Sequence, residues 1–257
     1  MGEWCLVTGA TGGIGRELAR LAAAEGFDLV LSARGVGRLE ALAEELRGSG
    51  RQVVCIAADL AREGEAARLW AEAGAGRDIA VLVNNAGLGA HGPIQDPALA
   101  EAQQRVIAVN AVAAGELMRL AAVEMAAKGR GRILNVASSA AFMPGPGMAG
   151  YHATKVFLLY LSEAAGADLK GSGVTVTALC PGPVATGFFD QAELRGALAL
   201  RLLPLAQPDA VARAGWRGMM RGKRMVVPGV LYKLVAFLMR LTPRGMALAV
   251  TRLYWSK

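Results

Sequence analysis

The stretch "WCLVTGATGGIGRELARLAAAEG", residues 4–26, restricts the fold more than any other part of the chain. Trp4 to Val7 are apolar without interruption, so a strand formed here has no wet face and must be covered on both sides. A glycine-rich turn, "TGATGGIG" at 8–15, follows at once, and a helical run from Gly15 to Glu25 follows the turn. The pattern then recurs. Apolar runs at Leu29–Leu31, Val53–Ala57, Val81–Val83, Ile133–Val136 and Val174–Leu179 are separated by helical stretches such as Leu39–Leu46. This alternation predicts an α/β fold, a doubly wound parallel sheet with helices on both faces. Gly and Pro punctuate the strand ends in "NNAG", "PGPG" and "CPGPVATG". Ligands of such folds bind at the carboxyl ends of strands, so the site is expected there.

At 257 residues, 54% hydrophobic and 19% charged, the chain has material for one domain with an ample core. No repeat, low-complexity tract or linker divides it, so residues 1–257 are read as a single domain. Residues 186–204 have weaker periodicity and fit a helical flap over the site. Cys5, Cys55 and Cys180 each sit in an apolar run without metal-ligand spacing, which predicts buried thiols, a reducing compartment and no metal. Met1 to Trp4 lead straight into the first strand with no signal-type segment, and the expectation is a cytoplasmic protein. Net charge is +7, but ten Lys or Arg and no acid lie between Ala210 and Lys257, leaving 18 basic against 21 acidic residues before them. The basicity belongs to the tail. Without a recognisable reader element it does not indicate a nucleic-acid partner.

"YHATK", residues 151–155, puts Tyr151 and Lys155 one helical turn apart on the same face. A cation beside the phenol favours tyrosinate and would bring a group that ordinarily titrates near 10 toward neutral pH. Taken alone, the pair also fits an amphipathic helix with a lysine reaching to solvent.

Taken together, "TGATGGIG", "DL" at 59–60, "NNAG" at 84–87, Asn110, "NVAS" at 135–138, "YHATK" and "PG" at 181–182 resemble the classical short-chain dehydrogenase/reductase (SDR) family from Cys5 to about Gly187. The resemblance implies a Rossmann-type fold and a carbonyl-reducing or alcohol-oxidising enzyme. It implies Tyr151 as general acid and base, and Lys155 as the cation that lowers the tyrosine pKa and holds the nicotinamide ribose. Ser138, 13 residues before Tyr151, would hydrogen-bond the substrate oxygen, with Ser139 as its rival. Asn110, in a helix-opening stretch, would hold a water linking Lys155 to solvent, or act as a helix cap. The cofactor would lie along Gly9, Thr11, Gly13, Ile14, Gly15, Ser32, Arg34, Asp59, Leu60, Asn85, Ala86, Gly87, Tyr151, Lys155, Pro181, Gly182, Val184 and Thr186. Asp59 would contact the adenine or simply cap a helix, and "NNAG" would form a turn beneath the cofactor or serve structure alone.

Charge bears on which cofactor. "LVLSARG" carries Ala33 where an NAD enzyme of this kind would have an acid for the ribose diol, and Arg34 follows. Arg34 can fork onto a 2′-phosphate and Ser32 can donate to it, which favours NADP (NADPH) over NAD. Phe142, Met143, Pro144, Met148, Phe188 and Phe189 suggest an apolar pocket for a small carbonyl or alcohol substrate. His91 either touches substrate or makes an ordinary loop hydrogen bond. His152 points about 100° away from Tyr151 on a helix and has no assigned role. A non-catalytic NADP-binding scaffold would share the glycine motifs but would not need Ser138, Tyr151 and Lys155 together, and a methyltransferase would lack YxxxK.

The resemblance also implies a homo-oligomer, through helices at Ala111–Lys128 and Tyr151–Leu169. Beyond it lies the tail, "GVLYKLVAFLMRLTPRGMALAVTRLYWSK", residues 229–257, which Pro243 divides into two helical segments too short to span a bilayer. Lys233 and Arg240 share one helical face, with Leu234, Phe237, Leu238 and Leu241 elsewhere. Arg244, Arg252 and Lys257 add charge, and Tyr254 and Trp255 favour the headgroup level. Such a tail either packs on protein, its own body or a second subunit, or docks peripherally on an anionic membrane.

Overall fold

Strands β1 (Glu3–Thr8), β2 (Asp28–Ala33), β3 (Val53–Ala57), β4 (Asp78–Asn84), β5 (Gly131–Val136), β6 (Val174–Leu179) and β7 (Met225–Val226) form one parallel sheet. Their order is β3-β2-β1-β4-β5-β6-β7. The computed structural model describes residues 2–192 and 205–254. The sheet is the doubly wound, Rossmann-type arrangement expected from the apolar runs. β7 was not anticipated, because two residues beside β6 leave no periodic signal.

Each strand sends alternate apolar residues to opposite faces, and helices cover both. Cys5, Val7, Leu29, Leu31, Val81 and Val83 belong to the core under α1 (Gly13–Ala24), α2 (Val36–Arg47) and α8 (Pro208–Met220). Trp216 of α8 closes that layer with its ring edge-on to Phe27, centroids 5.9 Å apart. Trp4, Leu6, Val30, Ile79, Leu82 and Ile133 face the other core, under α3 (Glu65–Gly74), α5 (Ala114–Ala127) and α6 (Ala149–Asp168). The uninterrupted apolar strands therefore follow from two buried faces.

Between β4 and β5 the chain runs as one helical stretch from Pro97 to Ala127: a 3-10 turn at Pro97–Leu99, α4 (Ala100–Ile107), a π turn at Ala108–Ala113, and α5. The stretch is long and apolar enough to cross a membrane, yet Val109, Ala113, Leu117, Met118, Ala121 and Met125 pack into the core beneath the sheet. Asn110 sits inside this run, in the π turn, and not at a helix opening. The capping reading fails because the backbone is helical on both sides of it.

Of the expected flap, Phe188–Gln191 forms a single helical turn, α7, and residues 193–204 lie outside the described residues. The tail folds as α9 (Val230–Leu241) and α10 (Arg244–Tyr254), separated at Pro243 as its sequence predicts, while Trp255 and Lys257 lie outside the described residues. α9 contacts the 3-10 turn at Ser139–Phe142, so the first tail helix packs on the protein's own body.

The tightest steric constraint is where α1 enters beneath the first strand. A Cβ on Gly15 would overlap the Asn85 side-chain amide and the Gly9 carbonyl, one of them backbone. Gly15→Ala is expected to destabilise the protein by about 1–3 kcal/mol, the range for overpacking a filled site. The measurement is the urea midpoint at unchanged slope. An unaltered midpoint would show that the turn yields without cost.

Candidate active site

β1 and β4 are neighbours at the centre of the sheet, and the loops that leave them are tied together by Thr8. Its hydroxyl accepts the backbone N–H of both Asn85 and Ala86 at 3.0 Å and donates to the Val83 carbonyl at 3.3 Å. The Asn85 side chain returns the contact, donating to the carbonyls of Thr8 (2.9 Å) and Gly9 (3.1 Å). Gly9 lies at φ +63°, and a Cβ there would come within 2.9 Å of the Ala86 backbone. The "NNAG" turn is thus part of the glycine turn's support. Asn84, just before it, is buried and donates to Asn135 and to the Ala114 carbonyl, both at 3.0 Å.

A cavity of about 630 Å³ opens along these strand ends. Of the expected cofactor residues, Gly9, Thr11, Gly13, Ile14, Ser32, Arg34, Asp59, Leu60, Asn85, Ala86, Gly87, Tyr151, Lys155, Pro181, Gly182, Val184 and Thr186 line it. Gly15 does not; it is the packing glycine described above. Asn110 does not either. It is fully buried, with its carbonyl oxygen accepting from Leu88 N–H at 2.8 Å and its amide donating to the Leu88 carbonyl (2.9 Å) and the Thr154 hydroxyl (3.2 Å). Its oxygen nonetheless faces the same point as the Lys155 ammonium. A Cβ placed on Gly87 would stand 3.4 Å from Lys155 Nζ and 3.5 Å from Asn110 Oδ1.

At one end of the cavity are the arginines. Arg38, in the first turn of α2, lines the cavity beside Arg34 and was not foreseen. Its only signal in sequence is the position four residues after Arg34. Asp59 is held by Arg105 with both carboxylate oxygens at 3.0 Å. Burial alone would raise its pKa, but that bond, the Ala61 amide and the charges of Arg105 and Arg34 hold the carboxyl below its ordinary range.

At the other end, Ser138 and Tyr151 meet. Both Ser138 and Ser139 line the cavity; the Ser138 hydroxyl accepts the Ala140 N–H at 3.1 Å and is the serine that acts to lower the Tyr151 pKa, while Ser139 has its backbone N–H on the Pro181 carbonyl at 2.8 Å. Lys155 lies one turn along α6, its ammonium over the Tyr151 ring at 5.6 Å from the centroid and donating to the Val136 carbonyl at 2.9 Å. Burial sets the direction of both shifts. It pushes the Tyr151 pKa up to about 12, against the partial offset of Ser138, and it pushes Lys155 down to about 8.

The surrounding wall is apolar. Met143, Phe188 and Phe189 line the cavity, with the Phe188 ring 5.2 Å from that of Tyr151, whereas Phe142, Pro144 and Met148 do not. His152 borders it with Nδ1 on the Met143 carbonyl at 2.9 Å, and its pKa is lowered by burial. His91 rests on Gly147, outside the lining. The last wall was not foreseen at all. Tyr232, Val235 and Met239 of α9 and Val250 and Thr251 of α10 line the cavity, and the Tyr232 ring fills the space above Gly182 that any side chain there would occupy. Cys5 and Cys180 are buried, Cys55 is half-buried contrary to expectation, and all three thiols are unpaired. Among the described residues no cluster of His, Cys, Asp or Glu could hold a metal.

Residues 3–195 match the short chain dehydrogenase family. The chain belongs to that family. Among curated relatives, a very-long-chain 3-oxoacyl-CoA reductase of Podospora anserina is 35% identical over 180 residues, 68% of this chain and 53% of the relative. The chain thus spans about half the length of that relative. Among solved structures, a short-chain dehydrogenase from Sphingobium yanoikuyae in complex with NADPH superposes with a TM-score of 0.82 at 32% identity, covering 94% of this chain and 97% of that one. A short-chain dehydrogenase/reductase from Burkholderia phymatum in complex with NAD gives 0.81 at 26% identity and 92% coverage of each.

For a short-chain dehydrogenase with so deeply buried a lysine, stability should report its titration. Lys155 has its pKa lowered on folding from 10.5 to about 8, so the folded protein binds fewer protons than the unfolded chain between those values. Stability contributed by this site is then greatest above the unfolded pKa and is lost as pH falls through the folded one. Against Lys155→Met, wild-type stability is expected to rise between pH 8 and 10.5. Parallel denaturation curves across that window would show that the ammonium is not desolvated.

Proposed function

We propose that this chain is an NADP-dependent oxidoreductase that interconverts a carbonyl and a secondary alcohol on an apolar small molecule. The observation that carries the reading is the single cavity joining Ser138, Tyr151 and Lys155 at one end to Arg34 and Arg38 at the other. A scaffold that only bound a nucleotide would have no use for the first group.

The residues present fit a nicotinamide dinucleotide. Gly9 keeps the backbone open where a Cβ would intrude, the amides at the start of α1 suit a pyrophosphate, and Arg34 and Arg38 suit a 2′-phosphate with no acid at Ala33 to oppose it. Both NADPH and NAD occur in the similar structures, so the preference rests on these side chains. When bound, the dinucleotide supplies or takes up a hydride.

The protein manages the proton. With its pKa pushed up to about 12, Tyr151 is protonated at neutral pH and donates to the substrate oxygen during reduction. Ser138 hydrogen-bonds the same oxygen as charge develops on it, and the Lys155 ammonium stabilises the tyrosinate left behind. In oxidation the roles reverse. Asn110 acts as a positioning residue, fixing Leu88 and the backbone beside Gly87 against which Lys155 rests. Met143, Phe188 and Phe189 select apolar substrates by excluding water around Tyr151.

The unpaired thiols support a cytoplasmic setting. The exposed side chains of Val112, Val123, Phe157 and Tyr160, on the helices expected to pair, support a homo-oligomer.

The direct test follows NADPH absorbance with ketones, steroids and acyl carbonyls. On any substrate found, Tyr151→Phe should lower turnover at least about a hundredfold while NADPH affinity stays nearly constant, the scale of a lost general acid. Wild-type turnover by this variant would overturn the assignment.

Arg34→Ala should weaken NADPH binding by about 1.5–3 kcal/mol and leave NADH nearly unaffected. Arg38→Ala should act in the same direction, with the pair non-additive because both address one phosphate. Equal losses for the two cofactors by titration would show that neither arginine reads the 2′-phosphate.

A further inference from the structure

α9 has two apolar faces. Tyr232, Val235, Ala236 and Met239, at helical spacing, turn inward, and all but the buried Ala236 line the cavity. At about 100° per residue, Val230, Leu234, Phe237, Leu238 and Leu241 fall on one stripe on the opposite side. These five are 48% to 83% exposed. Lys233 and Arg240 fall together along one edge of that stripe. α10 repeats the arrangement, with Ala247 and Thr251 buried, Met246 and Val250 exposed, and Arg244 and Arg252 at the surface. A stripe of this kind, unlike scattered exposed apolar residues, marks a contact surface.

We infer that the outer surface of α9 and α10 docks on an anionic lipid bilayer. Charge selects the occupant. No Asp or Glu occurs between Ala210 and Lys257, and among the described residues Lys233, Arg240, Arg244 and Arg252 make no ion pair. A second copy apposed through this face would bring two sets of unneutralised cations together. An anionic headgroup layer complements them, while the stripe enters the acyl boundary as an interfacial helix does. The same helices wall the cavity, and Val250 belongs to both its lining and the exposed surface. Docking would therefore set the cavity mouth against the bilayer. Delivery of a lipid-soluble substrate rests on the function proposed above, but the docking does not.

The test is co-sedimentation of the full chain with vesicles of phosphatidylcholine alone or mixed with phosphatidylserine, without cofactor or substrate, so that its outcome is independent of activity. Wild-type protein should bind the anionic vesicles and lose binding as salt rises from about 0.1 to about 1 M, where screening shortens from about 10 to about 3 Å. Phe237→Gln/Leu241→Gln, outside the cavity lining, should weaken binding at least about tenfold by removing apolar insertion. Arg240→Gln/Arg244→Gln should weaken it and flatten its salt dependence. Melting temperature and mass in solution should stay unchanged in both variants. No salt-sensitive binding by wild type, or equal binding by the variants, overturns the proposal. So does a changed mass, which would make the face a contact between copies, or a lowered melting temperature without vesicle binding, which would assign it to another segment of this chain.

Discussion

The site depends on the Thr8 hydroxyl. One oxygen accepts two backbone amides from the turn after β4 and donates back to β4 itself, holding the ends of the two central strands in register. These are the strands from which the chain departs in opposite directions, so without such a tie the crevice between their loops would have no fixed width. Asn85 then binds the glycine turn from the other side. Buried donors and acceptors are costly to leave unmade, and the Thr8 hydroxyl, the Asn85 and Ala86 amides and the Asn85 side-chain amide are satisfied by neighbours that also shape the cavity. The turn that would meet a pyrophosphate is therefore rigid before any ligand arrives, which favours binding by avoiding the cost of ordering it.

The second half of the site is governed by burial. YxxxK suggests a cation that pulls the tyrosine pKa down, yet the ammonium lies over the ring, bonded to the Val136 carbonyl, and desolvation raises the phenol's pKa while lowering the lysine's. Both shifts favour the neutral form. This is what desolvation does to a phenol and to an ammonium. A neutral phenol suits donation to a carbonyl oxygen. A lysine titrating near 8 remains mostly charged at pH 7 and can respond when negative charge appears beside it. The pair's electrostatics is thus a property of its surroundings, and its spacing alone shows only that the two groups can meet.

That contrast explains what was legible in the sequence. The first six strands were, unlike the two residues of β7, because two buried faces leave no polar interruptions. So was the glycine turn, because a residue at φ +63° against backbone admits no Cβ. Ser138 was preferred to Ser139 on its spacing from Tyr151 alone, since the two are adjacent and chemically identical, and both do line the cavity. Arg38 left no mark because an exposed arginine on the first turn of a helix is ordinary. Asn110 was placed at a helix opening because a π turn inside a helix has the composition of either. Tyr232 was invisible for another reason: it reaches Gly182 from 50 positions away, and no local pattern encodes that distance.

The tail shows how one pattern can conceal two. Read along the sequence, α9 is apolar with two cations, and packing inward and docking outward look like alternatives. In three dimensions they are not. The inward set recurs at 232, 235, 236 and 239, the outward set at 230, 234, 237, 238 and 241, and both satisfy helical periodicity at once. A helix that only roofed a cavity would be polar on its far side, since exposed leucine and phenylalanine gain nothing from water. The basic edge between the two faces is what a helix at a boundary requires, because long cationic side chains reach the wet layer while their stems stay in the apolar one. The wall of the cavity and the outer surface of the protein are therefore separated by the thickness of a single helix, and whatever covers one face lies one helix away from the other.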